Sequence, residues 1–274
     1  MRSALIEGAS WWREAFEEAG FENGFRVDVL PEDANPLDAR YNVIQWVHRS
    51  TRGWSYGDRM SDPRTGEIIK GHVSLGSLRV RQDKLIAEAL TAPFSSSESS
   101  DKAALDMALA RLRQLSAHEV GHTLGIDHNF AASSSGDASV MDYPHPYLYL
   151  DESGMVRLDR AYSTGVSPWD KLAVRYGYQP FDPADENREL NAIIREASNK
   201  GIAFINDHDA RYPGSAHPGA HLWDNGQDVL VRLHELMEIR QAGLENFSSR
   251  VLSLIIVTLP SASSFMFNVV LQSG

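Results

Sequence analysis

The 274 residues contain no cysteine. That removes disulfides as a source of stability and thiolates as metal ligands, so a zinc site in this chain draws only on imidazole and carboxylate. Basic residues are the minority, 26 Lys and Arg against 37 Asp and Glu, for a formal charge of -11. A field of that sign repels phosphate backbones and anionic headgroups, so no nucleic-acid partner is expected. An apolar leader is missing at the N-terminus, where Glu7, Arg13 and Glu14 interrupt the first 20 residues and no signal peptide is read. Long hydrophobic runs are missing too, until residues 251–274, which carry no charge. Pro260, the polar run 261–264 and Asn268 break that tail. It is expected to form two short strands, 251–259 and 265–271, folding back on the domain, or to be a non-native end; a membrane-spanning helix is the weaker alternative.

What is present is ordinary globular composition, 42% hydrophobic with no internal repeat, enough for one large domain with a real core. Ile6, Ala9, Trp12, Phe16 and Ala19 recur at helical spacing and predict one helix over residues 5–19, closed by Gly20. Residues 25–30 and 41–48 read as strands, and the turn signals Asp62-Pro63, Thr65-Gly66 and Gly76 separate two or three more, including 72–75. After a polar loop at 95–100, Leu105, Ala108, Leu109, Leu112, Leu115, Val120 and Leu124 place a long helix from Asp101 to its end at Gly125. Ser133 to Asp137 is a polar loop, and residues 140–147 hold two prolines and cannot be regular. Ser167-Pro168 reads as an N-cap with Pro at the first helical position, opening a helix to Gly177, and a last helix covers about 229–247.

The chemistry is concentrated at the end of the long helix, in His118-Glu119-Val120-Gly121-His122-Thr123-Leu124-Gly125-Ile126-Asp127-His128. His118 and His122 are four apart, so they leave one helix face a turn apart, as two imidazoles on one tetrahedral zinc require. Glu119 is offset by one position, which keeps its carboxylate off the metal and near a metal-activated water, where a general base is needed. Gly125 permits positive φ, and the sharp turn returns His128 as third ligand with a fourth position left open. With 10 His, 37 acids and 20 Gly in the chain, this arrangement arises by chance about once in 10,000 such chains. Chance is therefore a poor account of it.

These residues resemble the extended HExxHxxGxxH motif of the metzincin zinc endopeptidases, and Ser139-Val140-Met141-Asp142-Tyr143 resembles the Met-turn of that family. The resemblance implies that Met141 forms an apolar floor under the three histidines. It also implies that Tyr143 reaches the zinc, as in the astacin-like and serralysin-like branches; a tyrosine merely packed on the turn is the alternative. Further segments are similar to a group of large bacterial zinc-dependent metalloproteases: Pro31-Glu32-Asp33-Ala34, Arg40-Tyr41-Asn42-Val43-Ile44, Arg52-Gly53-Trp54-Ser55-Tyr56-Gly57, Asp62-Pro63-Arg64-Thr65-Gly66-Glu67-Ile68 and His128-Asn129-Phe130. Members of that group are exported and longer, which implies an excised catalytic region here and an extracytoplasmic location for the intact protein. By the same resemblance Val73, Ser74, Leu75 and Gly76 stand where an edge strand pairs with extended substrate, with an interior strand as the alternative.

Other signals are weaker. Asn206-Asp207-His208-Asp209 with His217, His221, Asp224, Asn225 and Asp228 form a polar cluster in which Ca2+ or a second metal is one expectation and a surface loop with Asx turns the other. His48, His72, His145 and His234 stand singly and read as structural, and Trp11, Trp12, Trp46 and Trp54 as core or cleft wall. The expectation is an α+β, zincin-like (metzincin) catalytic domain over residues 1–250. It has a small twisted mixed sheet above a cleft, a long active-site helix beneath, an upper part to about 125 and an irregular helical lower part beyond. A peptide or protein is the expected partner, and no membrane association is expected. One catalytic Zn2+ on His118, His122 and His128, with Glu119 as general base and Tyr143 as helper, would hydrolyse peptide bonds. The rival is a zinc-stabilised binding or scaffold module, or an inactive fragment of a larger protease; an intact Glu119 argues for catalysis, because a structural zinc needs no base.

Overall fold

Residues 1–49, 51, 54–91, 98–136, 139–214, 217–248 and 268–273 are described by a computed structural model. The N-terminal helix expected as one piece is two, α1 (Arg2–Ser10) and α2 (Trp12–Glu18). Ser10 turns its hydroxyl back onto the Ile6 carbonyl at 2.6 Å and the Trp11 N–H reaches the Gly8 carbonyl at 3.1 Å, a local tightening that bends the chain. The bend leaves Leu5, Ala9, Trp12 and Phe16 in one buried stripe, and Gly20 ends the segment at φ +94, as the spacing predicts.

Strands β1 (Phe25–Val29) and β2 (Asn42–Val47) lie where the β-rich runs place them, followed by β3 (Tyr56–Ser61) and β4 (Ile68–Gly76). β2 and β4 run parallel with Ile44 opposite Val73 and Trp46 opposite Leu75, and β3 returns antiparallel on the far side of β4. The tail contributes a strand at Asn268–Ser273, close to the second one expected there; it lies antiparallel between β1 and β2, giving the order β1, tail strand, β2, β4, β3. Residues 251–259, 137–138 and part of the 95–100 loop lie outside the described residues. Among the described residues no helix is long and apolar enough to cross a membrane.

Helix α3 (Leu78–Thr91) has no counterpart in the sequence reading. Its buried positions are Asp83 and Ala87, and Asp83 is held by Arg79 at 2.9 Å, so the apolar stripe that betrays a helix is missing. The long helix α4 (Glu98–Thr123) begins three residues before Asp101 and runs through the middle of the molecule. Its packed side is the one the periodicity singles out, with Ala108, Leu112, Leu115 and Val120 buried and Met107 beside them; Leu105 alone of that set departs, at 45% exposed. α1 crosses it so closely that a Cβ on Gly8 would run into the Arg113 carbonyl, and the Trp12 indole N–H donates to the Ala117 carbonyl at 2.8 Å.

Below α4 the chain is less regular. A short hairpin pairs β5 (Tyr149–Leu150) with β6 (Val156–Arg157), and four helices follow: α5 (Pro168–Tyr178), α6 (Glu186–Asn199), α7 (Asp207–Ala210) and α8 (Val229–Ser248). α5 opens as predicted, with Ser167 and Asp170 closing a reciprocal capping box over Pro168. The hairpin, α6 and α7 are absent from the sequence reading: the hairpin strands are two residues each and α7 is a single turn, while α6, whose Leu190, Ile193, Ile194 and Ala197 recur at helical spacing, buries only Ile193.

Candidate metal centre

The histidine motif occupies the last turns of α4, where α1, the sheet and the turn 139–143 enclose the helix. Gly125 ends it at φ +85; its N–H donates to the His122 carbonyl at 3.0 Å and that of Ile126 to the Gly121 carbonyl at 3.1 Å, the paired bonds of a Schellman motif. Arg59 from β3 and the Tyr178 hydroxyl take the His122 and Leu124 carbonyls at 3.2 and 2.7 Å. The reversal aims the Ile126 carbonyl at His122 and brings His128 back to the other two histidines.

Each imidazole is oriented from behind. His118 Nδ1 lies 2.7 Å from the Val140 carbonyl, His122 Nδ1 3.0 Å from the Ile126 carbonyl, and His128 Nδ1 2.5 Å from the Asp207 carboxylate. These oxygens can only accept, so each Nδ1 donates and each Nε2 is left as a lone pair. The His122 Nε2 sits 3.2 Å from that of His118 and 3.1 Å from that of His128. Two ligands of a tetrahedral zinc at about 2.0–2.1 Å lie about 3.3 Å apart, so the separations suit one cation. Without a cation three converging lone pairs would repel in a largely buried place. Burial, reinforced by the neighbouring imidazoles, holds the His118 pKa well below its ordinary value and that of His122 down at about 4, which keeps both rings neutral as metal ligation demands.

Asp207 is the residue of this site that spacing does not reveal, 79 positions from His128. Asn129, next to the third histidine, holds it in place: its side chain donates to the Ala203 carbonyl at 2.9 Å and accepts from the Ile205 N–H at 3.1 Å, while the Phe130 N–H donates to the Ile205 carbonyl at 2.9 Å. Segment 203–207 is thereby pinned along 129–130. Arg211 takes the other carboxylate oxygen at 3.0 Å. Asp207, one of the polar cluster at 206–228, thus orients a histidine.

Glu119 is 5% exposed and belongs to none of these bonds. Burial pushes its carboxyl up to about 7, against the pull of the Gly57 N–H from β3 and of the Arg111 guanidinium. β3 is pressed so tightly on α4 that a Cβ on Gly57 would collide with the Glu119 carbonyl. Arg111, buried and stacked 5.5 Å over the Tyr162 ring, donates to the side-chain oxygen of Gln114, whose amide donates at 2.9 Å to the same Val140 carbonyl that orients His118. That relay too is invisible in the sequence, since its members look like an ordinary polar helix face.

The turn that carries Val140 is anchored by the capping residue of α5. Asp170, fully buried, accepts from the Ser139 hydroxyl at 2.5 Å and the Val140 N–H at 3.2 Å as well as from Ser167. Met141 is fully buried against Gly121 and Trp12, where a Cβ on Gly121 would meet its sulfur. Tyr143 packs its ring 4.5 Å from that of His128 and 5.4 Å from that of His118, and burial raises its pKa, so the hydroxyl stays a donor.

Asp142, 1% exposed, accepts from the Tyr143 and Ser133 N–H groups at 2.7 and 3.2 Å. Burial pushes its carboxyl from 3.8 up to about 7, with Asp224 and Asp170 adding to the rise. The folded chain therefore keeps a proton there that the unfolded chain gives up, so this contribution to stability is full at low pH and is lost as pH rises through about 7. Asp142→Asn is expected to lessen the fall in melting temperature between about pH 5 and about pH 8 in metal-free protein. An unchanged slope would mean that Asp142 is ionised throughout.

Val73 and Ser74 are not on a sheet edge. β4 is paired on both sides at these positions, with Ile44 and Gln45 of β2 and with Gly57 and Tyr56 of β3, and both are buried; Leu75 and Gly76 pair with Trp46 and Val47. Among the described strands the outer one on this side of the sheet is β3. A hairpin folds it outside β4, and no local pattern distinguishes the two. In the 206–228 cluster the described residues bring together no second group of three His, Asp or Glu, the histidine triad being the one such group. Asp228 caps α8 at Leu230 and Val231, and the Asn225 amide donates to the His145 carbonyl.

Fold and site define a zincin-like α+β domain with a three-imidazole metal centre. The chain belongs to the Met-zincin family, whose model matches residues 100–253, from the start of α4 to beyond α8. Neither a curated protein nor a solved structure matches it. Family and histidine cluster together fit a zinc metalloprotease.

Proposed function

We propose that the chain is a zinc-dependent endopeptidase in which Glu119 is the general base. The observation that carries this reading is the set of three Nδ1–H groups tied to acceptors, with three Nε2 lone pairs converging on one another, and next to His118 in the chain a buried carboxylate that is not part of that triad. A structural zinc would need the first part only. Zinc at His118, His122 and His128 supplies Lewis acidity, which brings the pKa of water towards neutrality. Glu119 takes a proton from the attacking water and returns it to the leaving amine. The Gly57 N–H and Arg111 steady its ionised form at the start of that cycle. An extended peptide adds to the outer edge of β3, which no other described strand pairs and whose Gly57 is pressed on the motif helix.

The Tyr143 hydroxyl donates to the oxyanion as it forms. Tyr143→Phe is accordingly expected to lower kcat by about tenfold to a thousandfold with little change in KM and full zinc content. Equal kcat in the variant returns Tyr143 to a packing role.

The reading as a whole is tested on the purified chain by zinc analysis and by digestion of a peptide library, before and after chelation and after zinc is restored. Cleavage that follows zinc supports it. Stoichiometric zinc with no cleavage, in a folded chain, favours the scaffold module.

A further inference from the structure

Loop 222–225 is remote from the motif in sequence yet tied to both segments that follow it. The Trp223 N–H donates to the Tyr143 carbonyl at 2.9 Å, the Asn225 amide to the His145 carbonyl at 2.7 Å, and Asp224 accepts from the Ser133 hydroxyl at 3.0 Å. Within this clamp Trp223 adopts φ +62, a left-handed conformation that a bulky L side chain keeps only where its surroundings over-determine it. Burial does not explain the strain, because Trp223 is 48% exposed. What the conformation achieves is a stack: the indole lies on the Tyr143 ring, centroids 5.2 Å apart and planes 23° from parallel. The same ring meets His128 edge-on at 4.5 Å and Phe130 at 5.6 Å. Of these neighbours Trp223 is the one whose ring lies nearly parallel on that of Tyr143, whereas His128 and Phe130 meet it edge-on.

We propose that Trp223 is a positioning residue for Tyr143, its indole fixing the plane of the phenol ring beside His128 and hence the direction of the hydroxyl. The catalytic consequence rests on the endopeptidase reading; the positioning itself rests on geometry alone. An indole over a tyrosine ring shifts that ring's resonances, which supplies a readout independent of turnover.

The test uses the zinc-loaded full chain with 13C-labelled tyrosine, in which the Tyr143 ring signal is identified by its loss in Tyr143→Phe. Trp223→Gly removes the indole and also suits positive φ, so it preserves the fold, and Trp223→Phe keeps an aromatic face. The Tyr143 signal is expected to move in Trp223→Gly and to stay close to its original position in Trp223→Phe, with zinc content unchanged in both. In turnover, Trp223→Gly lowers kcat about tenfold with KM within about twofold, Trp223→Phe restores most of the loss, and Trp223→Gly adds nothing in the Tyr143→Phe background. An unmoved ring signal overturns the proposal. So does a raised KM at full kcat, which would make the indole a wall for substrate, or a loss that adds to that of Tyr143→Phe. A wild-type chain that cleaves no peptide overturns the endopeptidase reading instead, and the ring signal still decides whether the indole lies on the Tyr143 ring.

Discussion

Glu119→Gln is expected to leave zinc content and fold intact while lowering kcat/KM by on the order of 10³-fold or more. Gln has the shape of Glu and keeps an acceptor for the Gly57 N–H, so β3 and α4 stay in register. Zinc is retained because the three converging nitrogens belong to His118, His122 and His128, and Glu119 orients none of them. What is lost is the ability to accept a proton from water, and an amide oxygen is far too weak a base to replace a carboxylate. The measurement is kcat/KM on the best peptide of the library digest, with zinc per chain determined on the same sample. Turnover within tenfold of the original chain would remove Glu119 from the proton transfer. Loss of zinc would instead place it among the ligands.

The second large effect concerns the metal. His128→Ala is expected to abolish stoichiometric zinc after dialysis and to lower the melting temperature of the zinc-treated chain to that of the metal-free protein. Two imidazoles on one helix bind zinc weakly, and a ligand that binds only the folded state stabilises it by about 4 kcal/mol when present at 1,000 times its Kd, which is the contribution forfeited. Asp207→Asn is the graded version. The amide oxygen still accepts the His128 Nδ1–H, but it withdraws the negative charge that makes the ring a better donor, and zinc affinity is expected to fall about 10- to 100-fold. Titration against a competing chelator measures both variants. Undiminished zinc in His128→Ala would move the third ligand elsewhere, and an unchanged affinity in Asp207→Asn would reduce that contact to loop packing.

Elements with strong local signals were legible in the residues. Ser167, Pro168 and Asp170 contain a whole helix start, and Gly125 a whole helix end, since caps depend on a few neighbouring backbone groups. Helix α3 was not, because it buries only Asp83 and Ala87 and its Arg79–Asp83 pair leaves no mark on the hydrophobic period, whereas α6 carries an apolar period at Leu190, Ile193, Ile194 and Ala197 that the sequence reading does not use. The wrong assignment of Val73 and Ser74 to a sheet edge arose because a strand's own alternation is identical whether its neighbour lies on one side or on both.

The amino-acid sequence by itself determined the metal centre's ligands, because two histidines four apart on a helix and a third beyond a glycine turn meet through local geometry alone. Tertiary structure decided what orients those histidines. The acceptors behind His118 and His128, the Val140 carbonyl and the Asp207 carboxylate, lie 22 and 79 residues away, as do, at comparable range, the Gly57 N–H facing Glu119 and the indole on Tyr143. Such partners are chosen by which surfaces pack together, and packing brings groups into reach with no trace in their spacing along the chain.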